Sequence, residues 1–278
     1  MSSIPKITVI TPSFNQGAFI EATIRSVLNQ EYPNLEYFVL DGGSTDNTVS
    51  VIKKYSRYIT YWHSKPDRGQ ADAINQGFKM AGGDIVAWLN SDDLYAPDAF
   101  HQVVDYSRHH KEIGCMMGDL GFIDRSGRPL YVRKAIPFHF NTALFGGAGV
   151  PQPATFFTRT ALQQSGVLNE SLHYLLDYEF FLRMHVAGVQ FGLVRHKLAD
   201  FRLHEESKTV REYQHRFWLD QQDIILQHRP FPWCRPQDRP RLFRSLRTLY
   251  RLRAFAIRSL IRGDWQPFRV STIRKKAA

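Results

Sequence analysis

Cysteine is scarce in this chain. Of 278 residues only Cys115 and Cys234 are cysteines, too few and too far apart for a disulfide scaffold or a cysteine-ligated zinc site. Long hydrophobic runs are absent as well. No window reaches the roughly 18 uncharged apolar residues of a membrane span, and Met1 to Lys6 holds no apolar signal core. A reducing, cytoplasmic, soluble protein is therefore expected. The common phosphate-cradling loops are also missing: neither G-x-G-x-x-G nor G-x-x-x-x-G-K-[ST] occurs. Finally, acids are sparse in the last quarter. Residues 211–278 carry 16 Lys+Arg against 5 Asp+Glu, a net of +11, whereas residues 1–210 carry 20 against 21, a net of −1. The overall charge of +10 thus belongs to the tail. With no nucleic-acid motif beside it, this charge does not indicate a nucleic-acid binder.

What is present is enough apolar material, 43% of residues, for a full core. The first hundred residues alternate strand and helix signals. Ile7–Ile10 is a β-branched run followed by Thr11-Pro12-Ser13, and Ala18 to Asn29 has helical spacing. Tyr37–Leu40 ends in Asp41-Gly42-Gly43-Ser44, with a helix through Val49, Val51 and Ile52. Thr60–Trp62 runs into Pro66-Asp67-Arg68-Gly69, and Ala71–Ala81 reads as a helix. Ile85–Leu89 runs into Asn90-Ser91-Asp92-Asp93. Apolar strands separated by helices predict an α/β fold with a parallel sheet covered on both faces. Ligands of such sheets gather at the carboxyl ends of the strands. Residues 94–210 are less regular and predict a helix from about Asp177 to Ala187. Prolines 230, 232, 236 and 240 read as a linker, and 241–262 as a helix with seven arginines and no acid.

Asp92-Asp93 is the sharpest local feature. Two adjacent carboxylates at a sheet mouth repel unless a cation or ligand separates them, and hard oxygen ligands suit Mg²⁺ or Mn²⁺. A solvated turn or a helix cap near Pro97 is the alternative. Asp41 reads either as an Asx turn with Gly42-Gly43 or, since Ser44 and Asp46 are equally good caps, as a spare acceptor for a base N–H or ribose hydroxyl. Without a phosphate loop, a bound nucleotide would need a metal, which Asp92-Asp93 could hold.

Taken together, ITVITPSFNQ (7–16), SVLNQEYPNLE (26–36), VLDGGSTDNT (39–48), DRGQADAINQG (67–77), DIVAWLNSDD (84–93), DYEFFLR (177–183) and FRLHEESKT (201–209) resemble the family-2 glycosyltransferases, and within them the subgroup that builds bacterial exopolysaccharide and O-antigen units. The resemblance spans about residues 5–210 in order. It implies a GT-A fold, a Rossmann-like nucleotide-binding sheet with helices on both faces, over residues 1–210. Residues 1–100 would be the nucleotide-sugar half and 101–210 the acceptor half, with a basic, largely helical extension over 211–278. It implies an inverting, metal-dependent transfer from a nucleotide-sugar, UDP-linked by default, to a glycan or lipid-linked acceptor in cell-surface polysaccharide synthesis. Thr11, Pro12, Ser13 and Asn15 would line base and ribose, Asp41 would contact the base, and Asp67, Arg68, Gly69 and Asp72 would close over the nucleotide. Asp92 would face the ribose and Asp93 would hold Mn²⁺ or Mg²⁺ on the diphosphate. Asn90 stands where the family often has a first carboxylate. His204 matches a histidine that can touch the metal, though a lone histidine is often a satisfied structural residue.

Asp177 matches the position of the catalytic base; the residue before it, often acidic in the family, is Leu176. Helical spacing separates the two nearby acids. Glu179 has Arg183 at i+4 and reads as structural. Asp177 has no local partner and sits in a first turn, where the helix dipole favours its charge. Phe145 to Gly149 reads as a mobile lip or a tight turn. In 241–262, leucines and isoleucines at three- and four-residue steps alternate with arginines, predicting a basic amphipathic helix on an anionic membrane surface, or one packed on the catalytic body. Two other readings stay open: a sugar-nucleotide pyrophosphorylase-like enzyme, disfavoured by the lack of a glycine-rich basic loop at Thr11–Asn15, and a catalytically silent nucleotide-sugar-binding scaffold at the membrane.

Overall fold

The computed structural model describes residues 4–146, 149–172, 174–205, 207, 216–228 and 240–263. The prolines 230, 232 and 236, and Gly147 and Ala148 of the glycine-rich stretch, lie outside the described residues. One nine-stranded sheet runs through the molecule in the order β3-β2-β1-β4-β8-β6-β9-β5, with β7 attached to β6. Its strands are β1 (Ile7–Ser13), β2 (Leu35–Asp41), β3 (Tyr61–Ser64), β4 (Ile85–Trp88), β5 (Leu94–Tyr95), β6 (Ile113–Ile123), β7 (Pro129–Arg133), β8 (Thr155–Thr158) and β9 (Gln190–Arg202).

The first four strands are parallel, as the near-continuous apolar runs of β1, β2 and β4 predict. All seven residues of β1 are buried between β2 and β4. The parallel pattern ends at β4, because β8 pairs with it antiparallel. β6 is antiparallel to β8 and parallel to β9. After β1 the chain moves outward through β2 and β3, then returns to place β4 on the other side of β1. The order therefore switches beside β1, where a crevice opens at the carboxyl ends. β1 and β2 run past their apolar cores, so Ser13 pairs with Asp41 inside the sheet. Pro12 is tolerated because β4 pairing stops at Ile10 and Trp88, so no ladder bond is lost on that side.

Helices α1 (Ile20–Leu28), α2 (Thr48–Tyr55) and α4 (Ala99–His109) cover one face, where Ile20, Ile24, Val27, Ile52 and Phe100 meet Val9 and Val39. On the other face α3 (Gln70–Met80), α6 (Arg159–Ser165) and α7 (Leu176–Val186) pack Ile74, Phe78, Phe180 and Phe181 against Ile10 and Trp88. A third cluster joins α5 (Phe140–Gly146) and α7 to α8 (Arg216–His228) and α9 (Pro240–Arg262), through Leu144, Leu182, Ile224 and Tyr250.

The basic helix does pack on the body. Tyr250 stacks on Phe145 at 5.6 Å, Arg251 Nε donates to the Gly146 carbonyl at 3.4 Å, and Ala254 and Arg258 are buried. Its apolar residues do not form one face. Leu246 and Tyr250 turn inward, while Leu249, Leu252 and Leu260 are 59%, 60% and 79% exposed. Among the described residues no helix is long and apolar enough to cross a membrane.

Candidate active site

The carboxyl ends of β1, β2 and β4 converge on one crevice, and the polar residues that follow each strand fill it. Thr11 is fully buried, its hydroxyl 3.1 Å from that of Tyr37. Pro12 and Ser13 are buried at the strand end, and the Ser13 hydroxyl has no partner among the described residues. Asn15 adopts a left-handed conformation (φ 52°), which asparagine accepts more readily than most residues. Its side-chain oxygen accepts from Thr45 N at 2.9 Å and its own N–H donates to Ser44 Oγ at 2.7 Å, tying the first loop to the second.

Asp41 is not spare. Its Oδ2 accepts from the backbone of Gly43 and Ser44 and from Ser64 Oγ, while Oδ1 takes the Ser44 hydroxyl at 2.5 Å. The carboxylate organises its own loop, as an Asx turn does. Asp67 reaches across from the next loop. It accepts the Gly69 N–H at 2.7 Å, and it lies so close to Gly42 that a Cβ there would come within 2.7 Å of its Oδ2. Gly69, at φ 110°, makes the turn into α3 in a region closed to side chains. Asp72, in the first turn of α3, holds Arg68 at 2.9 Å, and Arg68 also reaches Glu170 at 2.8 Å. That pairing holds the Asp72 carboxyl below its ordinary range.

The loop after β4 is fixed from several sides. Thr23 Oγ1 of α1 donates to the carbonyls of Ser91 and Asp93 at 2.9 and 2.8 Å. Gln70 Nε2 donates to Asn90 Oδ1 at 2.8 Å. Asn90 in turn faces Gln152, whose amide donates to the Trp88 carbonyl at 2.8 Å. The two adjacent acids then part, because Asp92 sits inside a turn that Asp93 N closes by donating to the Asn90 carbonyl at 3.1 Å, while Asp93 leaves that turn toward β5. Asp93 turns inward and is 1% exposed. Its Oδ1 accepts from Arg202 N at 2.9 Å, and among the described residues Oδ2 is buried without a hydrogen-bond partner. Burial, with the Asp92 charge beside it, pushes the Asp93 carboxyl well above the usual carboxylate range. Asp92 keeps 20% of its side chain open, and its Oδ2 lies 2.9 Å from His204 Nε2. Asp92 thus keeps an open side while Asp93 lies beneath it.

His204 is fully enclosed, with its ring 4.5 Å from that of Phe19. Arg202 fixes the approach to it, donating Nε to the Asp92 carbonyl at 2.8 Å and Nη1 to the carbonyl of Arg125 at 3.0 Å. Arg202 and Gln152 were not singled out from sequence. Both act through backbone carbonyls, which leave no motif. Ligands of an octahedral Mg²⁺ or Mn²⁺ at about 2.1 Å stand about 3 Å from one another. Asp92 Oδ2 and His204 Nε2 have that separation and fit one edge of such a site. Among the described residues no group of three or more His, Cys, Asp or Glu side chains could hold an ion by itself. Other ligands would have to come from a substrate diphosphate and water.

Asp177 opens α7 and is partly buried. Its Oδ1 accepts the N–H of Tyr178 next to it, at 2.9 Å, and burial raises its carboxyl above the ordinary aspartate value. Glu179 behaves differently. Arg183 grips it with two bonds of 2.8 and 3.0 Å, and His228 stands 3.8 Å away. Burial pushes Glu179 up, but the contacts with His228 and the Arg183 guanidinium outweigh it and hold the carboxyl at about 2. The aromatic rings of α7 bring its first turn toward the crevice. Phe181 stacks on Trp88 at 5.8 Å, and Phe180 packs against both Trp88 and Phe157.

Residues 8–161 match the model of glycosyl transferase family 2. An uncharacterized glycosyltransferase of Mycobacterium tuberculosis is 35% identical over 189 residues, covering 66% of this chain and 70% of that one. Chondroitin synthase of Escherichia coli is 24% identical over 226 residues, covering 76% of this chain and 31% of that one. Among solved structures, S. aureus TarS in complex with UDP-GlcNAc matches with a TM-score of 0.65 at 17% identity, covering 80% of this chain and 65% of that one. The mannosyltransferase PcManGT from Pyrobaculum calidifontis, in complex with GDP-Man and Mn²⁺, matches with a TM-score of 0.58 at 18% identity, covering 82% and 64%. At these identities the structural likeness establishes the shared GT-A fold. The chain spans 65% of the TarS chain and 31% of chondroitin synthase.

Proposed function

Because the chain belongs to glycosyl transferase family 2, we propose that it moves a sugar, with inversion, from a nucleotide-sugar to a hydroxyl of a glycan or lipid-linked acceptor in cell-surface polysaccharide synthesis. The observation that carries this reading is the convergence of Asn90, Asp92 and His204 at the switch point of the sheet, with Asp177 on the helix packed against the same strand. UDP is the proposed nucleotide, by analogy with TarS and its UDP-GlcNAc.

In this mechanism the loops after β1, β2 and β3 hold the base and ribose. Asn15, Ser44 and Asp41 form one interlocked wall, and Asp67 with Gly69 and the Arg68–Asp72 pair form the other. Asn90, fixed by Gln70 and Gln152, faces the ribose. Asp92 and His204 are assigned the Mn²⁺ or Mg²⁺ expected on the donor diphosphate, in place of Asp93. The chemistry such an ion supplies when bound is Lewis-acid stabilisation of the leaving diphosphate. Asp93 supports from below by holding the end of β9 in place. Asp177 takes the proton from the acceptor hydroxyl as it attacks the anomeric carbon. Its carboxyl, raised by burial, makes a stronger base, and a positioned base contributes about 10²–10⁴-fold. The exposed leucines and arginines of α9 are assigned to an anionic membrane surface on the cytoplasmic side.

A donor screen tests this reading. UDP-, GDP- and dTDP-sugars are incubated with the full chain, with Mn²⁺ or with EDTA, and released nucleoside diphosphate is recorded. Release from one donor that EDTA abolishes is the expected result. Release indifferent to EDTA overturns the metal assignment, and failure to bind any of the three donors overturns the transfer reaction.

A further inference from the structure

We propose that Tyr178 is a positioning residue for Asp177, and that through it the C-terminal helices α8 and α9 belong to the catalytic unit. The proposal rests on the base role inferred above for Asp177 and names what holds that base. Asp177 lies on a seam. Leu176 before it packs into the cluster on the α3 face of the sheet, with Ala71, Trp88 and Phe180. Leu175 and Tyr178 turn the other way, against the cluster that α5 shares with Ile224 of α8 and with Leu246 and Tyr250 of α9. The base stands where the two clusters meet, so its place depends on both.

The turn that carries Asp177 does not hold itself. Its N-cap position is Leu175, whose side chain has no acceptor for the N–H groups of the first turn. Leu175 also sits at φ 55°, a left-handed conformation that a bulky side chain keeps only where its surroundings enforce it. Those surroundings are tertiary. The Tyr178 hydroxyl donates to the Leu144 carbonyl of α5 at 2.5 Å and is hydrogen-bonded by the buried Gln221 amide of α8. Burial pushes that hydroxyl above the ordinary tyrosine range, so it stays protonated and keeps donating at neutral and mildly alkaline pH. Tyr250 of α9 stacks on Phe145, the residue after Leu144, and backs the same anchor. Next along the turn, His228 at the end of α8 stands 3.8 Å from Glu179.

What this clamp supplies is distance. A general base has to stand within about 2.6–3.2 Å of the hydroxyl it deprotonates. Tyr178 joins the carboxylate to the clamp through both of its ends. Its backbone N–H donates to Asp177 Oδ1 at 2.9 Å, and its hydroxyl is held by α5 and α8. Phe180 and Phe181 fix the sheet side of α7 against Trp88, and Tyr178 fixes the opposite side. Without that second anchor the first turn is free to pivot about the rings. A shift of about 1 Å at the carboxylate costs up to about 100-fold in rate.

The test reads the Asp177 carboxyl directly and needs no turnover. The full chain is labelled with ¹³C at its aspartate side-chain carboxyls, and the Asp177 resonance is assigned by its loss in Asp177→Asn. Its titration is then compared by NMR in wild type, Tyr178→Phe and Gln221→Met, variants that keep bulk and remove bonds of the clamp. The expected result is a fall of about half a pH unit or more toward the ordinary aspartate value, as the loosened turn admits water. Nucleoside diphosphate release from the donor found in the screen above should drop tenfold or more, with donor affinity unchanged. Val103→Ala, a core truncation on the opposite face of the sheet, should lower the melting temperature and leave the Asp177 titration in place. If Tyr178→Phe melts early, Gln221→Met alone is read in the same way. A titration that neither variant moves overturns the proposal. So does one that Val103→Ala moves as far, or a moved titration with release at the wild-type rate. If Asp177→Asn releases nucleotide as fast as wild type, or no donor is turned over at all, the transfer reading falls instead, and the titration alone decides whether Tyr178 holds the carboxyl.

Discussion

Two acids on the first turn of α7 should respond in opposite ways when neutralised. Glu179→Gln removes the charge that Arg183 grips through two bonds, yet leaves the guanidinium in place with 26% of its side chain exposed. Lowering a carboxyl from 4.5 to about 2 corresponds to about 3.4 kcal/mol at most. Arg183 keeps the carbonyls of Ser165 and Val167, and glutamine retains one acceptor, so the expected loss is about 2–3 kcal/mol. For a chain of this length that lowers the melting temperature by about 4 °C. Because the folded-state value is depressed, the contribution is present above the ordinary glutamate value and fades as pH falls toward 2. The gap between wild type and variant should therefore narrow in acid. Asp177→Asn should do the reverse. Burial disfavours the aspartate charge, so the amide is neutral or slightly stabilising near pH 8, whereas turnover should fall about 10²–10⁴-fold with donor binding intact. Calorimetry across pH and initial rates on both variants decide the matter. A Glu179→Gln protein that melts normally but is inactive, beside an active Asp177→Asn protein, refutes the assignment.

Three further outcomes are expected. His204→Ala should weaken Mn²⁺ binding in the presence of UDP by tenfold or more, read by the EPR of free Mn²⁺, while Asp93→Asn, which keeps an acceptor for Arg202 N and removes a charge that burial disfavours, should leave the melting temperature unchanged or slightly higher. Gly42→Ala puts a methyl group 2.7 Å from Asp67 Oδ2, so donor affinity measured by calorimetric titration should drop while the circular dichroism spectrum is unchanged. Leu252→Glu on the outer side of α9 should reduce sedimentation of the full chain with phosphatidylglycerol vesicles and leave the melting temperature within about 1 °C.

Much of the first hundred residues was legible because the signals there are local. Near-continuous apolar runs such as Ile7–Ile10 and Ile85–Trp88, set between helix signals, indicate buried strands, and the polar residues after them mark the crevice. The separation of Glu179 from Asp177 followed from helical spacing and agrees with the Arg183 bonds. Which of Asp92 and Asp93 faces outward was not legible. It is fixed by Arg202 N, 109 residues downstream, through a pairing of β9 that no local pattern specifies. Asp41 was hard to read because three candidate caps look interchangeable in sequence, whereas in the fold Asp41 gathers the N–H groups of Gly43 and Ser44 and Asp46 takes that of Thr48. On α9, spacing alone groups the leucines together, but contact with α5 draws Leu246 and Tyr250 inward, leaves Leu249 and Leu252 outside, and buries Arg258.

The rings of Phe78, Trp88, Phe157, Phe180 and Phe181 form a continuous slab between β4 and α7, with neighbouring centroids 5.5 to 6.1 Å apart. That slab is a spacer. Its thickness sets how far the base-bearing helix stands from the strand that carries the donor loop, and aromatic rings compress little. Effective molarity depends steeply on such spacing, and a displacement of about 1 Å can cost 100-fold in rate.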